Sequence, residues 1–210
     1  MQKGVIAILL LLLCAPVFAA ERLIDDFESG RLSGWEEESF VGNTRYTIVP
    51  EGEGHCLSAE SNATASGFIH EIEYDLHEWP RLAWRWKVGG VLKKGDVRSK
   101  ETDDYPARVY VIFPHWFPPK TRSINYIWAN RLLQGEAIPN TYYDKAIMLA
   151  VESGPEKVGQ WVSEERNVLD DFRKLFGEEP PEVGAIAIMT DTDNTGGSVT
   201  ACYDDIRLLQ

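Results

Sequence analysis

Lys100-Glu-Thr-Asp-Asp-Tyr-Pro-Ala-Arg-Val-Tyr-Val-Ile-Phe113 begins as a knot of charge and ends as a strand. From Ala107 onward Val109, Val111 and Phe113 are apolar, and Arg108 and Tyr110 alternate with them. Successive side chains of a strand point to opposite faces. The period of two therefore sends Ala107, Val109, Val111 and Phe113 into a core and turns Arg108 and Tyr110 the other way. The loop ahead of the strand adds Lys100, Asp103 and Asp104. A segment greasy on one side and polar on the other belongs to layered sheets and offers a binding face.

The same alternation recurs outward from this stretch. Residues 45–49 and 67–76 show it, the latter with Phe68, His70, Ile72 and Tyr74 on one face. In 82–88, Leu82, Trp84, Trp86 and Val88 oppose Arg85 and Lys87. Two tryptophans in register suit a sheet interior or a stacking platform. Residues 123–130, 146–151, 160–168, 183–189 and 198–209 read as further strands, with Glu164 and Arg166 sharing one face of their segment. A single helix is expected at 168–176. Asn167 caps it, Asp170 and Asp171 fill its first turn, Arg173 and Lys174 its last, and Gly177 follows. Many short strands, turns rich in Gly, Pro, Asn and Asp, and one short helix predict an all-β antiparallel sandwich of jelly-roll type.

Residues 1–19 read as a secretory signal peptide. Lys3 precedes an apolar run over 5–13 that is too short to span a bilayer, and Val17-Phe18-Ala19 offers the small-x-small cleavage pattern. Cys14 is not read as a lipid anchor, because bulky Leu13 precedes it where that signal needs a small residue. Residues 20–210 then form one domain, placed in the periplasm or outside the cell. With 33 acidic against 21 basic residues the chain carries a net charge of −12. Such a chain repels polyphosphate and acidic lipid, so nucleic acid and membrane insertion are not expected. Export makes a disulfide between Cys56 and Cys202 chemically permissible; two separate buried thiols are the alternative.

Two sets of motifs carry a resemblance. The ends of the chain, Ile24-Asp25-Asp26-Phe27-Glu28-Ser29-Gly30 with Trp35, and Tyr203-Asp204-Asp205-Ile206-Arg207-Leu208, resemble the galactose-binding-like jelly rolls of carbohydrate-binding modules and of the complex I intermediate-associated protein family. That resemblance implies that the first and last strands lie together and that acidic residues there hold a structural calcium ion, with Asp26, Glu28 and Asp205 as its ligands. Over nearly the whole mature length the chain is similar to an exported bacterial domain-of-unknown-function family (DUF3047). The matching stretches are Lys100 with 103–111, Asn125-Tyr126-Ile127-Trp128, 165–172 and Ala187-Ile188-Met189-Thr190-Asp191-Thr192-Asp193-Asn194-Thr195. This family brings no established activity.

Function is read from residue chemistry. Seven tryptophans and eight tyrosines, with Arg, Asp and Asn among them, are the groups sugar recognition uses. Lys100, Asp103, Asp104, Arg108, Tyr110, Asn125, Glu164, Arg166, Asp191 and Asp193 are the residues expected to gather on one concave sheet face. The expected ligand is a glycan or another polar small molecule. Two alternatives stay open: a glycan-cleaving hydrolase or lyase using carboxylates or the Lys/Tyr/Arg set, and a structural envelope protein whose charges form only an internal network. No Gly-x-Ser-x-Gly occurs, and the four histidines lack zinc-ligand spacing. The loop starting at Asp191 opens like a calcium loop but has Cys202 where a bidentate Glu is needed.

Overall fold

The alternation becomes two β-sheets packed face to face. The computed structural model describes residues 20–210, and the leader read at 1–19 lies outside the described residues. In chain order the strands are β1 (Glu21–Asp25), β2 (Trp35–Val41), β3 (Arg45–Glu51), β4 (Gly54–Asn62), β5 (Ala65–Tyr74), β6 (Arg81–Val88), β7 (Tyr105–Phe113), β8 (Arg122–Ala129), β9 (Ala137–Pro139), β10 (Ala146–Ser153), β11 (Val162–Asn167), β12 (Val183–Asp191) and β13 (Ser198–Leu209). The helix α1 (Val168–Phe176) follows β11. One sheet has the order β11-β6-β13-β4-β3, with β1 against β13; the other runs β2-β5-β12-β7-β8-β10-β9. First and last strands pair antiparallel, Glu21 opposite Leu209, as the jelly-roll resemblance implies.

One pairing departs from the antiparallel expectation. β8 and β10 run parallel, Ser123 beside Ala146. Parallel neighbours cannot share a hairpin and need a crossover of a dozen or more residues. Residues 130–145 provide it and lay β9 antiparallel along the outer edge of β10. No periodicity marks this crossover in the sequence, yet it builds a wall of the site described below.

The core lies between the sheets. Leu82, Trp84, Trp86 and Val88 of β6 meet Ala107, Val109, Val111 and Phe113 of β7 and Ile124, Tyr126 and Trp128 of β8. Trp84 and Trp86 are enclosed and pack edge to face at 5.5 Å, so they are core and not a stacking platform. Truncating such a tryptophan to alanine costs about 3–5 kcal/mol. β13 keeps both halves in this core by a bulge between Asp204 and Arg207. Tyr203 and Ile206 both point inward, and Asp205 takes a φ of 53° to absorb the extra residue. On α1 the Asn167 side chain accepts from the Asp170 N–H at 3.1 Å, and Gly177 closes the helix at φ 72°. Phe172 seats the helix against Phe113, ring centres 4.6 Å apart.

β7 sits between β12 and β8 in the middle of the larger sheet. Its outward residues, Arg108 and Tyr110, are therefore the centre of that sheet's outer face.

Candidate functional site

Register decides what surrounds them. Arg108 lies opposite Met189 of β12, and Tyr110 opposite Asn125 of β8. Asn125 in turn lies beside Met148 of β10. Cross-strand partners share a face, so Arg108, Tyr110, Asn125, Met189 and Asp191 form one floor. A cavity of about 590 Å³ stands over it, within the range of about 300–1,000 Å³ usual for small-ligand sites. Loops make its walls. Asp103 comes from the segment before β7, Asn140 and Tyr142 from the 130–145 crossover, and Asp193 and Asn194 from the turn between β12 and β13. Phe40 and Val41, exposed at the end of β2, close one side.

The floor is charged and buried. Arg108 Nη2 and Asp191 Oδ2 are 2.6 Å apart, with both residues almost wholly enclosed. The guanidinium also lies over the Tyr105 ring at 4.5 Å and the Tyr110 ring at 5.6 Å. Burial pushes the Asp191 carboxyl up to about 8, against the pull of Arg108 and with Asp104, Asp103 and Asp193 adding to the rise. Burial also draws the Arg108 guanidinium down, but the Asp191 carboxylate and neighbouring groups outweigh it and keep it charged. Asp103 is held by the Tyr105 hydroxyl and by the Asn140 amide at 2.8 Å. Asp104 serves the loop instead: its carboxylate accepts from the backbone N–H groups of Asn194, at 3.1 Å, and Thr195, at 2.7 Å. Lys100 sits exposed at the rim, its Nζ 5.2 Å from the centre of the Tyr142 ring.

Hydrogen-bonding capacity is left over on this floor. Arg108 Nε and Asn125 Oδ1 have no partner among the described residues. Arg108 Nη2 and the Tyr110 hydroxyl reach the Met189 sulfur at 3.2 and 3.4 Å, and Asn125 Nδ2 reaches the Met148 sulfur at 3.1 Å. A thioether is a weak acceptor. Buried polar groups are normally paired with oxygen or nitrogen. Here Arg108 Nε, the Tyr110 hydroxyl, and both the nitrogen and the oxygen of the Asn125 amide lack such partners among the described residues.

Four of the ten expected residues do not line the cavity: Lys100 and Asp104 stand beside it, and Glu164 and Arg166 are elsewhere altogether. Glu164 and Arg166 lie on β11, at the edge of the other sheet. β11 alternates as its sequence predicts, but a sequence period fixes a face within one sheet and not which sheet a strand enters. They line a separate cleft of about 530 Å³ between β10, β11 and α1. There Arg166 grips Asp171 of α1 with two bonds, at 3.0 and 2.7 Å. Burial, then the neighbouring Glu152, pushes the Glu164 carboxyl up to about 7, and its Oε1 has no partner among the described residues.

The expected calcium ligands do not fit that ion. Glu28 is taken by the backbone and ring of His55, and Asp26 caps its own turn. Asp205 pairs with Arg207 and with Arg85. Among the described residues the three do not gather their oxygens as a calcium shell requires. Asp205 sits in the bulge, beside the guanidiniums of its own sheet. The expected disulfide is also not formed. Cys56 and Cys202 are free thiols on neighbouring strands. Cys202 faces Ser58 across the ladder, which leaves Cys56 on the diagonal.

Asn140, Tyr142, Asn194, Met148 and Phe40 were missed. The turn Pro139-Asn140 followed by two tyrosines was the available signal, since Asn at a turn beside exposed aromatics marks a loop that can line a site.

A family model described as "Protein of unknown function (DUF3047)" matches residues 33–207. No curated protein matches the chain by sequence. Among solved structures, the chain is similar to the family 11 carbohydrate-binding module of a cellulosomal cellulase of Clostridium thermocellum, at 14% identity over 91% of this chain and 95% of that one, with a TM-score of 0.47. It is also similar to a family 28 module specific for non-crystalline cellulose, at 15% identity, 88% and 92% coverage and a TM-score of 0.44. A third is the xyloglucanase domain of a type three effector from Sinorhizobium fredii, at 12% identity, 84% and 94% coverage and a TM-score of 0.48. These likenesses are too distant to bear on ligand or activity.

Proposed function

The chain belongs to the DUF3047 family of proteins of unknown function, and we propose that it is an exported protein that binds a neutral glycan in the cavity over Arg108, Tyr110 and Asn125. The observation that carries this reading is the unused hydrogen-bonding capacity of that floor. Arg108 Nε and Asn125 Oδ1 are buried without partners on residues that line the cavity, and an adjustment of those side chains on binding lets the one donate to a sugar oxygen and the other accept from a sugar hydroxyl. The Tyr110 hydroxyl and the Asn125 amide exchange a sulfur for a better acceptor on binding. Tyr142 and Phe40, both largely exposed at the walls, supply apolar faces for sugar C–H groups.

Charge selects among sugars. The cavity holds Asp103, Asp191 and Asp193 against Arg108, and that one guanidinium is already paired with Asp191. A uronate entering this site finds the floor guanidinium taken and meets Asp103 and Asp193, whereas a neutral hydroxylated ring brings no charge to be offset. Binding without turnover is favoured, because two of the three acids are already engaged. Asp191 is locked to Arg108, and Asp103 to Tyr105 and Asn140.

The test is a calorimetric and thermal-shift screen of the mature protein against neutral oligosaccharides and matched oligouronates, with product analysis of each mixture. A neutral oligosaccharide is expected to bind and raise the melting temperature, uronates are not, and no shorter sugar is released. Exclusive uronate binding contradicts the charge argument, and sugar release replaces the binding reading with the enzymatic one. An absence of any shift across the screen removes the glycan reading.

A further inference from the structure

The outer face of the smaller sheet carries a second cluster that the cavity does not use. Cys56 of β4 is buried but turned away from the core between the sheets, and Cys202 of β13 is partly exposed beside it. Glu51, at the end of β3, completes the group. One ligand atom from each of Glu51, Cys56 and Cys202 lies within 4.8 Å of the others. We propose that these three side chains form a binding site for a thiophilic divalent cation of the zinc class.

The backbone geometry distinguishes an ion from a disulfide. Cys202 is directly opposite Ser58, so Cys56 is its diagonal neighbour on the same face. Diagonal positions stand about 7–8 Å apart at Cα, while a disulfide spans about 4.4–6.8 Å. Direct bonding therefore requires the strands to shift. A metal needs no such shift: with bonds of about 2.3 Å to each thiolate in a tetrahedral shell, the two sulfurs remain separate and the ion lies between them.

The surroundings suit a ligand set of two thiolates and a carboxylate. Glu51 Oε1 accepts from Lys87 Nζ and from Trp161 Nε1, the latter at 3.3 Å. Those bonds orient the carboxylate in the manner of outer-sphere groups around metal ligands, and its second oxygen is available to the ion. Two thiolates and a carboxylate exceed the charge of a divalent ion by one, which the Lys87 ammonium offsets. The partial exposure of Cys202 gives an entry path and room for a water as fourth ligand. Binding releases the two thiol protons to solvent.

The site is tested on reduced, metal-free mature protein titrated with cobalt(II), then with zinc(II). The expected result is one equivalent of cobalt, a sulfur-to-cobalt charge-transfer band, and loss of that band as zinc displaces it. Cys202→Ser removes the band. Glu51→Gln keeps the fold by circular dichroism and weakens binding by about 10-fold or more; it carries the test if the cysteine variant misfolds. The proposal is overturned by an absent band, by a band that Glu51→Gln leaves unchanged, or by an exported protein whose mass and thiol titration show Cys56 joined to Cys202.

Discussion

Two arginine–aspartate pairs, Arg108–Asp191 and Arg166–Asp171, look alike in sequence and differ in what surrounds them. Arg166 spends both forks on Asp171, and the same carboxylate accepts from the Tyr126 hydroxyl at 2.9 Å. That one group ties α1 to β11 of one sheet and to β8 of the other. Arg108 makes a single 2.6 Å contact with Asp191, leaves Nε without a partner among the described residues, and otherwise meets a sulfur. A pair whose remaining bonds are consumed by the protein braces the fold. A pair with bonds to spare, facing a cavity, is prepared for something else. Arg108 is also the deeper of the two arginines, its side chain 6% exposed against 35% for Arg166, so a bond it leaves unmade is the costlier one.

The largest effect expected from breaking this contrast is on stability. Arg108→Ala leaves Asp191 enclosed without its cation and should cost about 3–5 kcal/mol in urea unfolding. Asp171→Ala removes charge-assisted bonds from a half-exposed arginine and strands the Tyr126 hydroxyl, for about 2–3 kcal/mol. It should leave glycan affinity unchanged at temperatures where the variant is folded. Equal costs for the two, or a ligand effect from Asp171→Ala, would erase the distinction between brace and floor.

A smaller effect separates the cleft by pH. Glu164 has a folded-state value near 7, above the ordinary 4.5. A raised carboxyl stabilises the fold fully below the unfolded value and loses that contribution as pH rises through the folded one. Glu164 therefore lowers stability between about pH 4.5 and 7, the two values that bound its titration. Asp191, near 8, acts in the same direction over a window extending higher. Urea melts of Glu164→Gln should show a shallower fall in stability across pH 5 to 7 than the parent protein, with the remaining fall above pH 7 unaltered. An unchanged slope would place the Glu164 carboxyl in solvent.

The fold was legible where a local pattern determines it. Alternation in 105–113 and 81–88 placed the core correctly, and Asn167 and Gly177 bounded the helix, because faces and caps depend on neighbours along the chain. The floor residues Arg108, Tyr110 and Asn125 were legible for the same reason. The walls were not. Asn140 and Tyr142 reach the cavity only through the parallel crossover between β8 and β10, and parallel order is a property of the whole sheet. Glu164 and Arg166 share the right period but the wrong layer, and Asp205, at the bulge, pairs with Arg85 and Arg207 and not with the group expected from Asp26 and Glu28.

Asn125 offers the most direct test, since it lines the cavity, its amide nitrogen bonds only a sulfur within the protein, and its buried oxygen has no partner among the described residues. Calorimetric titration of the parent and of Asn125→Ala with one neutral oligosaccharide, beside melts of both, measures the two roles together. The account predicts affinity lower by about 10-fold, the size of one or two lost hydrogen bonds, with stability within about 1 kcal/mol of the parent. Unchanged affinity in a folded Asn125→Ala would contradict it.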